Sequence, residues 1–388
     1  MDFTETSEHE LLREAVGKIA AEFGHEYFVE KAKANERMTE LWAALAKGGY
    51  VGVNLPAEHG GGDMGISELA IVCEELAAAG CPLLLLIVSP AICGSIIARH
   101  GDDAQRATWL PKIAGTTDPS WKMAFAITEP DAGTNSHRVA TTAKRDGEEY
   151  RLSGTKYYIS GIDEAGAVLV VARTGSDPVT GKAQLSLFVV DVDAPGLETT
   201  VIPVEITAPE KQYTLFFDDV VVPTDRCIGG EGAGLRAVFS GLNPERITGA
   251  AMVNGIGRYA LAKGAAYAKE RRVWDVPIGA HQGIAHPLAK AKIEVELARL
   301  MTQKAAAFYD DPSEDPGEAA NMAKYASAEA TLGALDQAIQ THGGNGLATE
   351  FGLATLWGMA RLMRIAPVSR EMVLNFVAEH SLGLPKSY

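Results

Sequence analysis

Two short stretches carry the residue types best able to hold a ligand. Phe125, Ala126, Ile127, Thr128, Glu129, Pro130, Asp131, Ala132, Gly133, Thr134 and Asn135 run from an apolar segment into a hydroxyl-rich turn. Such a turn presents backbone N–H groups and a Thr hydroxyl to something planar and polar. Pro130 keeps Glu129 extended, and Gly133 permits either a positive φ or the close approach of a ligand to the chain. Downstream, Leu152-Ser153-Gly154-Thr155-Lys156-Tyr157-Tyr158-Ile159-Ser160-Gly161 reads as another strand ending in a hydroxyl and a glycine. Taken singly, each stretch is also an ordinary exit from strand to loop.

Together they resemble the two flavin-binding signatures of the acyl-CoA dehydrogenase family, which writes them T-E-P-x-A-G-S-D and G-x-K-x-[WY]-I-[TS]. This chain has T-E-P-D-A-G-T-N and G-T-K-Y-Y-I-S, and the likeness runs over nearly its whole length. The resemblance implies FAD, with contacts from Phe125, Ile127, Thr128, Gly133, Thr134, Tyr158 and Ser160. Further matches are Arg271 and Trp274 in Glu270-Arg271-Arg272-Val273-Trp274, Gln282 after His281, and Gln340-Thr341-His342-Gly343-Gly344. In relatives the arginine and aromatic meet the diphosphate and adenine side, and the Q-x-x-G-G turn of another subunit completes the pocket. An Arg fork and a glycine turn suit a diphosphate physically. Alone, Arg271 also reads as a surface charge and Gly343-Gly344 as a helix stop. Ser369 and Glu371 join the implied cofactor contacts from the C-terminal segment.

The family's reaction needs a carboxylate to remove the proton α to a thioester carbonyl while flavin N5 takes a hydride from the β carbon. Most relatives supply it from a C-terminal Y-E-G-T segment. Counted without a gap from Gly343-Gly344, that glutamate falls on Pro367, so the usual base is absent. A smaller branch, including isovaleryl- and long-chain acyl-CoA dehydrogenases, carries the base in a segment like L-D-x-E-R. The equivalent here is Leu242-Asn243-Pro244-Glu245-Arg246, with Glu245 26 residues before Arg271. Glu245 is therefore the candidate base, and Asn243 and Arg246 stand where relatives contact the CoA pantetheine. Its other reading is a helix-start glutamate paired with solvent or Arg246. Pro244 should kink or start a helix there, and Pro367 removes a backbone N–H that helps relatives polarise the thioester carbonyl. The resemblance also implies an electron-transferring flavoprotein as oxidant and a homotetramer. Two other readings stay open: a flavin oxidase or monooxygenase of the same fold, and a silent subunit of a mixed tetramer.

The elements that must position these residues follow from pattern. Residues 1–124 read as a helical domain, with apolar positions at helical spacing over Glu8 to Phe23, Thr39 to Lys47, Ile66 to Ala79, Ile92 to His100 and Ala104 to Ile113. Residues 125–235 read as an antiparallel β-domain, with strands at Tyr150 to Ile159, Ala167 to Arg173, Gln184 to Val192 and Tyr213 to Val222. From 236 to 388 helical periodicity returns near 235–272, 283–309, 317–341, 351–361 and 369–381 as a bundle. The expected fold class is α+β. Gly229 to Gly234 lacks the Gly-Lys-Ser/Thr of a phosphate loop and reads as a flexible hinge. Pro82 to Ala98, apolar but interrupted by Pro90 and Gly94, reads as a buried helix pair, and Asp310 to Glu318 as a solvated loop.

Composition narrows the partners. The 388 residues, 47% hydrophobic and 22% charged, suit two or three packed units of a soluble protein. A formal net charge of −15 disfavours nucleic acid or an anionic membrane surface. Cys73, Cys81, Cys93 and Cys227 have no CxxC spacing, so neither zinc nor a disulfide framework is indicated, and His281 and His286 lack a carboxylate at helical spacing for a metal. No targeting segment is visible, which fits a cytoplasmic protein or a processed organellar one.

Overall fold

In the computed structural model, which describes residues 5–176 and 181–387, the helical periodicity of the first third resolves into six helices. They are α1 (Ser7–Ala34), α2 (Thr39–Lys47), α3 (Ile66–Ala78), α4 (Leu84–Leu86), α5 (Ser95–His100) and α6 (Asp103–Ile113). The stretch from Pro82 to Ala98 is a single run rather than a helix pair. A wide π turn, Ile87–Gly94, joins α4 to α5 and contains Pro90. Proline has no N–H and its ring crowds the carbonyl a turn back, and the wider turn relieves both. No helix of the described residues is long and apolar enough to cross a membrane.

The middle sheet has eight strands: β1 (Met123–Ala126), β2 (Thr142–Asp146), β3 (Glu149–Ser160), β4 (Ala167–Ser176), β5 (Ala183–Asp191), β6 (Leu197–Ile202), β7 (Gln212–Pro223) and β8 (Cys227–Ile228). Their order is β6-β7-β3-β2-β4-β5-β8, with β1 added alongside β4. Most pairings are antiparallel as expected, but β1 and β2 both run parallel to β4. β4 explains why the sheet has cover on two sides. Ala167, Leu169 and Val171 pack with the helical layer of α5 and α6, and Val168, Val170 and Ala172 face the opposite core. A strand buried on both faces reads as an unbroken apolar run, as this one does. β2 and β6 carry no such signal, because they are largely solvated and rich in polar residues such as Lys144, Arg145, Glu198 and Thr199.

The last third is built on α7 (Gly234–Glu270), which packs against α3, α8 (Gln282–Asp310) and α9 (Gly317–His342). Between α7 and α8 lies a small hairpin of β9 (Arg272–Val273) and β10 (Val276–Pro277). Gly255 allows the α3–α7 crossing, because a Cβ there would stand 2.2 Å from the Glu74 carbonyl oxygen. A charge network pins the same helices: Glu74 and Glu75 of α3 bond Arg13 of α1 and Arg258 of α7, and Glu74 also bonds Arg299 of α8. The expected helix at 351–361 is instead two 3₁₀ turns followed by α10 (Trp357–Leu362), and α11 (Arg370–Phe376) continues into a wide turn, Val377–Ser381.

Two loops differ from expectation. Asp310 is not solvated loop: its carboxylate accepts from the Ile66 and Ser67 N–H groups at 2.7 and 2.9 Å. It caps α3, which begins after Gly65 and so has no capping side chain of its own. The run Gly229 to Gly234 is tied to the sheet rather than free to hinge. Tyr150 donates its hydroxyl to Glu231 at 2.8 Å, and the Gly232 N–H donates to Ser186 Oγ at 2.8 Å.

Candidate active site

The two hydroxyl-bearing strand ends are locked to each other. The Tyr157 N–H donates to the Thr128 carbonyl at 2.9 Å, and the Thr128 hydroxyl returns a bond to the Tyr157 carbonyl. Beneath them Lys156, fully buried, places its ammonium 2.8 Å from Glu129 Oε1 and 3.0 Å from the Ile127 carbonyl. Glu129 also accepts the Ala140 and Thr141 N–H groups at 2.7 and 3.0 Å. Burial pushes the Glu129 carboxyl up, but Lys156 and these donors outweigh it and hold the group below its ordinary value. Burial lowers the Lys156 ammonium to about 8. Both residues lie inside the two motifs, yet their pairing is hidden in the sequence because spacing along the chain does not show which strand residue faces which turn residue.

Several residues here have a conformation or exposure that the chain itself does not require. Tyr158 adopts φ 57° and is 53% exposed, and Trp274, at the tip of the β9–β10 hairpin, adopts φ 50° and is 84% exposed. Large side chains avoid the left-handed region without a reason. A Cβ added to Gly133 or Gly344 would meet no protein atom within 4 Å, and neither glycine has a left-handed φ. Neither position is filled by the chain itself, so each leaves open space at the surface. Thr134 is exposed beside Gly133, Phe125 and Ile127 are half-buried under the turn, and the Ser160 hydroxyl donates to Gln212 at 3.0 Å.

A second group gathers at the far end of α7. Arg271 closes that helix and is exposed, with no side-chain partner among the described residues. Gln282 opens α8, and Gln340 sits in the last turn of α9 before Gly343 and Gly344. His342 is buried, stacks on Tyr267 at 4.2 Å between ring centroids and bonds the Ala338 carbonyl, which makes it a packed residue. Among the described residues no hydrogen bond, ion pair or ring contact joins this group to the strand-end group.

Glu245 sits inside α7, not at its start, and the helix passes Pro244 without leaving helical geometry. The Pro244 carbonyl is satisfied by the Thr248 hydroxyl at 2.7 Å. Glu245 is half-buried on α7. Burial raises its carboxyl to about 7, against the pull of Arg246 and Lys324. Beside it, Arg246 Nη1 donates to Asn243 Oδ1 at 3.0 Å, and Arg246 Nε is buried with no partner among the described residues. Pro367 follows a cis peptide bond. Among the described residues the Val368 N–H has no acceptor, and the Val368 carbonyl accepts from the Lys324 ammonium. Ser369 caps α11, accepting the Met372 N–H at 3.3 Å, and Glu371 is exposed in the first turn of that helix. Lys324 lies in none of the motifs. It falls on the buried stripe of α9 with Ala320, Ala323, Ser327 and Thr331, where a lysine is out of place, and that mismatch is the signal the sequence offers.

The order of helices, sheet and helices, together with the relatives the chain matches, makes it an oxidoreductase that acts on a CH–CH bond with FAD. Residues 6–117, 124–220 and 232–382 match the acyl-CoA dehydrogenase N-terminal, middle and C-terminal domains. The chain belongs to the acyl-CoA dehydrogenase family, whose members dehydrogenate acyl-CoA thioesters. It is 57% identical over 387 residues to acyl-CoA dehydrogenase FadE12 of Mycobacterium tuberculosis, covering 100% of this chain and 99% of that one. A glutaryl-coenzyme A dehydrogenase in complex with glutaryl-CoA superposes with a TM-score of 0.93 at 29% identity, covering 100% of this chain and 98% of that one. An FAD complex of PigA superposes with a TM-score of 0.91 at 25% identity, covering 99% and 100%.

Proposed function

We propose that Glu245 is the base of this enzyme and that the chain dehydrogenates an acyl-CoA thioester between its α and β carbons, passing electrons to an electron-transferring flavoprotein. When bound, FAD supplies the acceptor for the β hydrogen and its electron pair. Glu245 removes the α proton, so that the α C–H electrons form the new double bond. The observation that carries this reading is the place of Glu245 within α7, half-buried with Asn243 and Arg246 bonded to each other beside it, where burial raises its carboxyl to about 7. A base with its pKa near the working pH combines a useful ionised fraction with enough basicity to take the proton. Asn243 and Arg246, one of them with an unfilled buried donor, suit the polar pantetheine arm. With Pro367 unable to donate, the free Val368 N–H is the nearest amide in the chain to take its role toward the thioester carbonyl.

The cofactor residues fall into two groups, and the reading assigns each group to a different subunit. Phe125, Ile127, Thr128, Gly133, Thr134, Tyr158, Ser160, Ser369 and Glu371 would hold the flavin end of one FAD. Arg271, Trp274, Gln282, Gln340, Gly343 and Gly344 would reach the diphosphate and adenine side of a neighbour's. At the rise of an α-helix, the 26 residues from Glu245 to Arg271 span about 39 Å. That exceeds an extended dinucleotide, so an FAD with its flavin at Glu245 would not reach Arg271 of the same chain. An exposed stripe on α8, Ile293, Leu297 and Leu300, offers an apolar face for assembly, in keeping with a homotetramer. Arg271→Ala and Gly133→Val should each lower FAD affinity, the first by about ten- to a hundredfold for a lost charge-assisted contact. Mixed assemblies of the two variants should recover intact sites, measured as bound FAD per chain. Mixtures that bind no more FAD than the average of their parents would remove the shared-site assignment.

Anaerobic titration of the FAD-loaded protein with straight and branched acyl-CoAs tests the activity. Loss of the oxidised flavin band with at least one thioester is expected, and the strongest responder names the acyl class. A protein that binds thioesters yet bleaches with none would exclude the dehydrogenase reading, and fast reoxidation by air would point to an oxidase.

A further inference from the structure

Lys324 is only 1% exposed, on a face of α9 otherwise given to packing. Burying an ammonium opposes folding unless something is gained from its charge or its donors. Its hydrogen bond goes to the Val368 carbonyl, in the segment that connects Pro367 to α11. The Val368–Ser369 peptide is trans, and in a planar trans peptide the C=O and N–H point in opposite directions. Anchoring that carbonyl to α9 therefore turns the Ser369 N–H away from α9. The charged groups around the ammonium come from three helices: Glu245 and Arg246 on α7, Glu329 on α9 and Glu371 on α11. Glu329 is itself engaged by Arg364 and Arg370, which leaves Glu245 and Glu371 as the carboxylates it can influence most freely.

We propose that Lys324 is a positioning residue for the dehydrogenation: from α9 its ammonium holds the segment after Pro367 through the Val368 carbonyl and brings a positive charge within electrostatic reach of Glu245. The inference rests on the reading of Glu245 as the base. It explains how a site that has lost a backbone donor to proline still presents an ordered amide segment. A cation beside the base favours its ionised form, so the sign is fixed. Removing the charge must make Glu245 harder to ionise. Burial and the repulsion of Arg246 outweigh the attraction of Glu371, Glu245 and Glu329, and keep the Lys324 ammonium lowered, to about 8.

The test compares Lys324→Met and Lys324→Arg with wild type in the FAD-loaded full-length protein, using an acyl-CoA that bleaches the wild-type flavin. Methionine has nearly the same length and removes only the charge and its donors; Lys324→Gln is the second neutral variant, and thermal unfolding with bound-FAD content selects the variants that remain folded. Single-turnover flavin reduction is followed from mildly acidic to mildly alkaline pH. The carboxyl infrared band that disappears in Glu245→Gln reports the same ionisation without turnover. In Lys324→Met both midpoints should rise by about one pH unit, and the plateau rate should fall about tenfold, with thioester affinity little changed. Lys324→Arg should restore the midpoint. If Lys324→Met keeps the wild-type midpoint and plateau while Glu245→Gln is silent, Lys324 only packs and the inference falls alone. If Glu245→Gln reduces flavin like wild type, the base reading falls first and takes the inference with it.

Discussion

Glu245→Gln should slow flavin reduction by acyl-CoA by about a hundred- to ten-thousand-fold, the contribution typical of a positioned general base. Thioester binding should survive, because glutamine keeps the shape and Asn243 and Arg246 are untouched. The same variant should be more stable than wild type at neutral and alkaline pH. The folded-state pKa of about 7 stands above the 4.5 of a free glutamate. Below about pH 4.5 the carboxyl is protonated in both states and the two proteins should be alike. As pH rises toward 7 the folded protein holds a proton that the unfolded chain has released, so wild-type stability declines through that window. Above it the cost of the buried carboxylate reaches roughly 3 kcal/mol, and glutamine escapes it. Thermal or denaturant unfolding across this range reads the effect. A variant that is slow yet equally stable at every pH would mean that the carboxyl is not desolvated in the fold.

Lys156→Met should produce the largest loss of stability, about 3–5 kcal/mol, because it leaves Glu129 buried without its cation. The loss should fall on the cofactor site first. Lys156 also holds the Ile127 carbonyl, and Glu129 gathers the Ala140 and Thr141 N–H groups, so the turn carrying Gly133 and Thr134 loses its anchor. FAD should then bind weakly even where the protein remains folded. Adding Glu129→Gln should recover part of the stability, since the amide oxygen can still accept one N–H and no charge is left buried. The double variant measured beside both single ones separates the pair's coupling from the cost of stranding one charge. Equal losses in the single and double variants would show that the pair is incidental to the turn.

The helices of the first and last thirds were legible because their apolar positions recur with a helical period, and β4 because it is an apolar run. Elements with a polar exposed face, β2 and β6, gave no such period. Pro90 and Pro244 misled in the same way. Each predicts a break, yet a π turn absorbs one and a continuous α-helix the other, since packing on both sides outweighs the lost backbone bond. The likeness of the two motifs drew attention to both strand ends from the sequence alone, and the structure bonds them to each other through Thr128 and Tyr157. Spacing along the chain could not show that α7 runs unbroken past Pro244 from Glu245 to Arg271, or that Lys324, far away in sequence, closes on Val368. Those facts belong to tertiary packing, and only a buried lysine on an apolar stripe hinted at them.

The claim that Glu245 takes the α proton is tested most directly by an acyl-CoA deuterated at its α carbon, incubated anaerobically with FAD-loaded protein in ordinary water and followed by mass spectrometry. The wild type should exchange the α deuterium for solvent hydrogen, and Glu245→Gln, saturated with the same thioester, should not. Wash-out by Glu245→Gln at the wild-type rate would contradict the account and return the search for the base to the rest of the site.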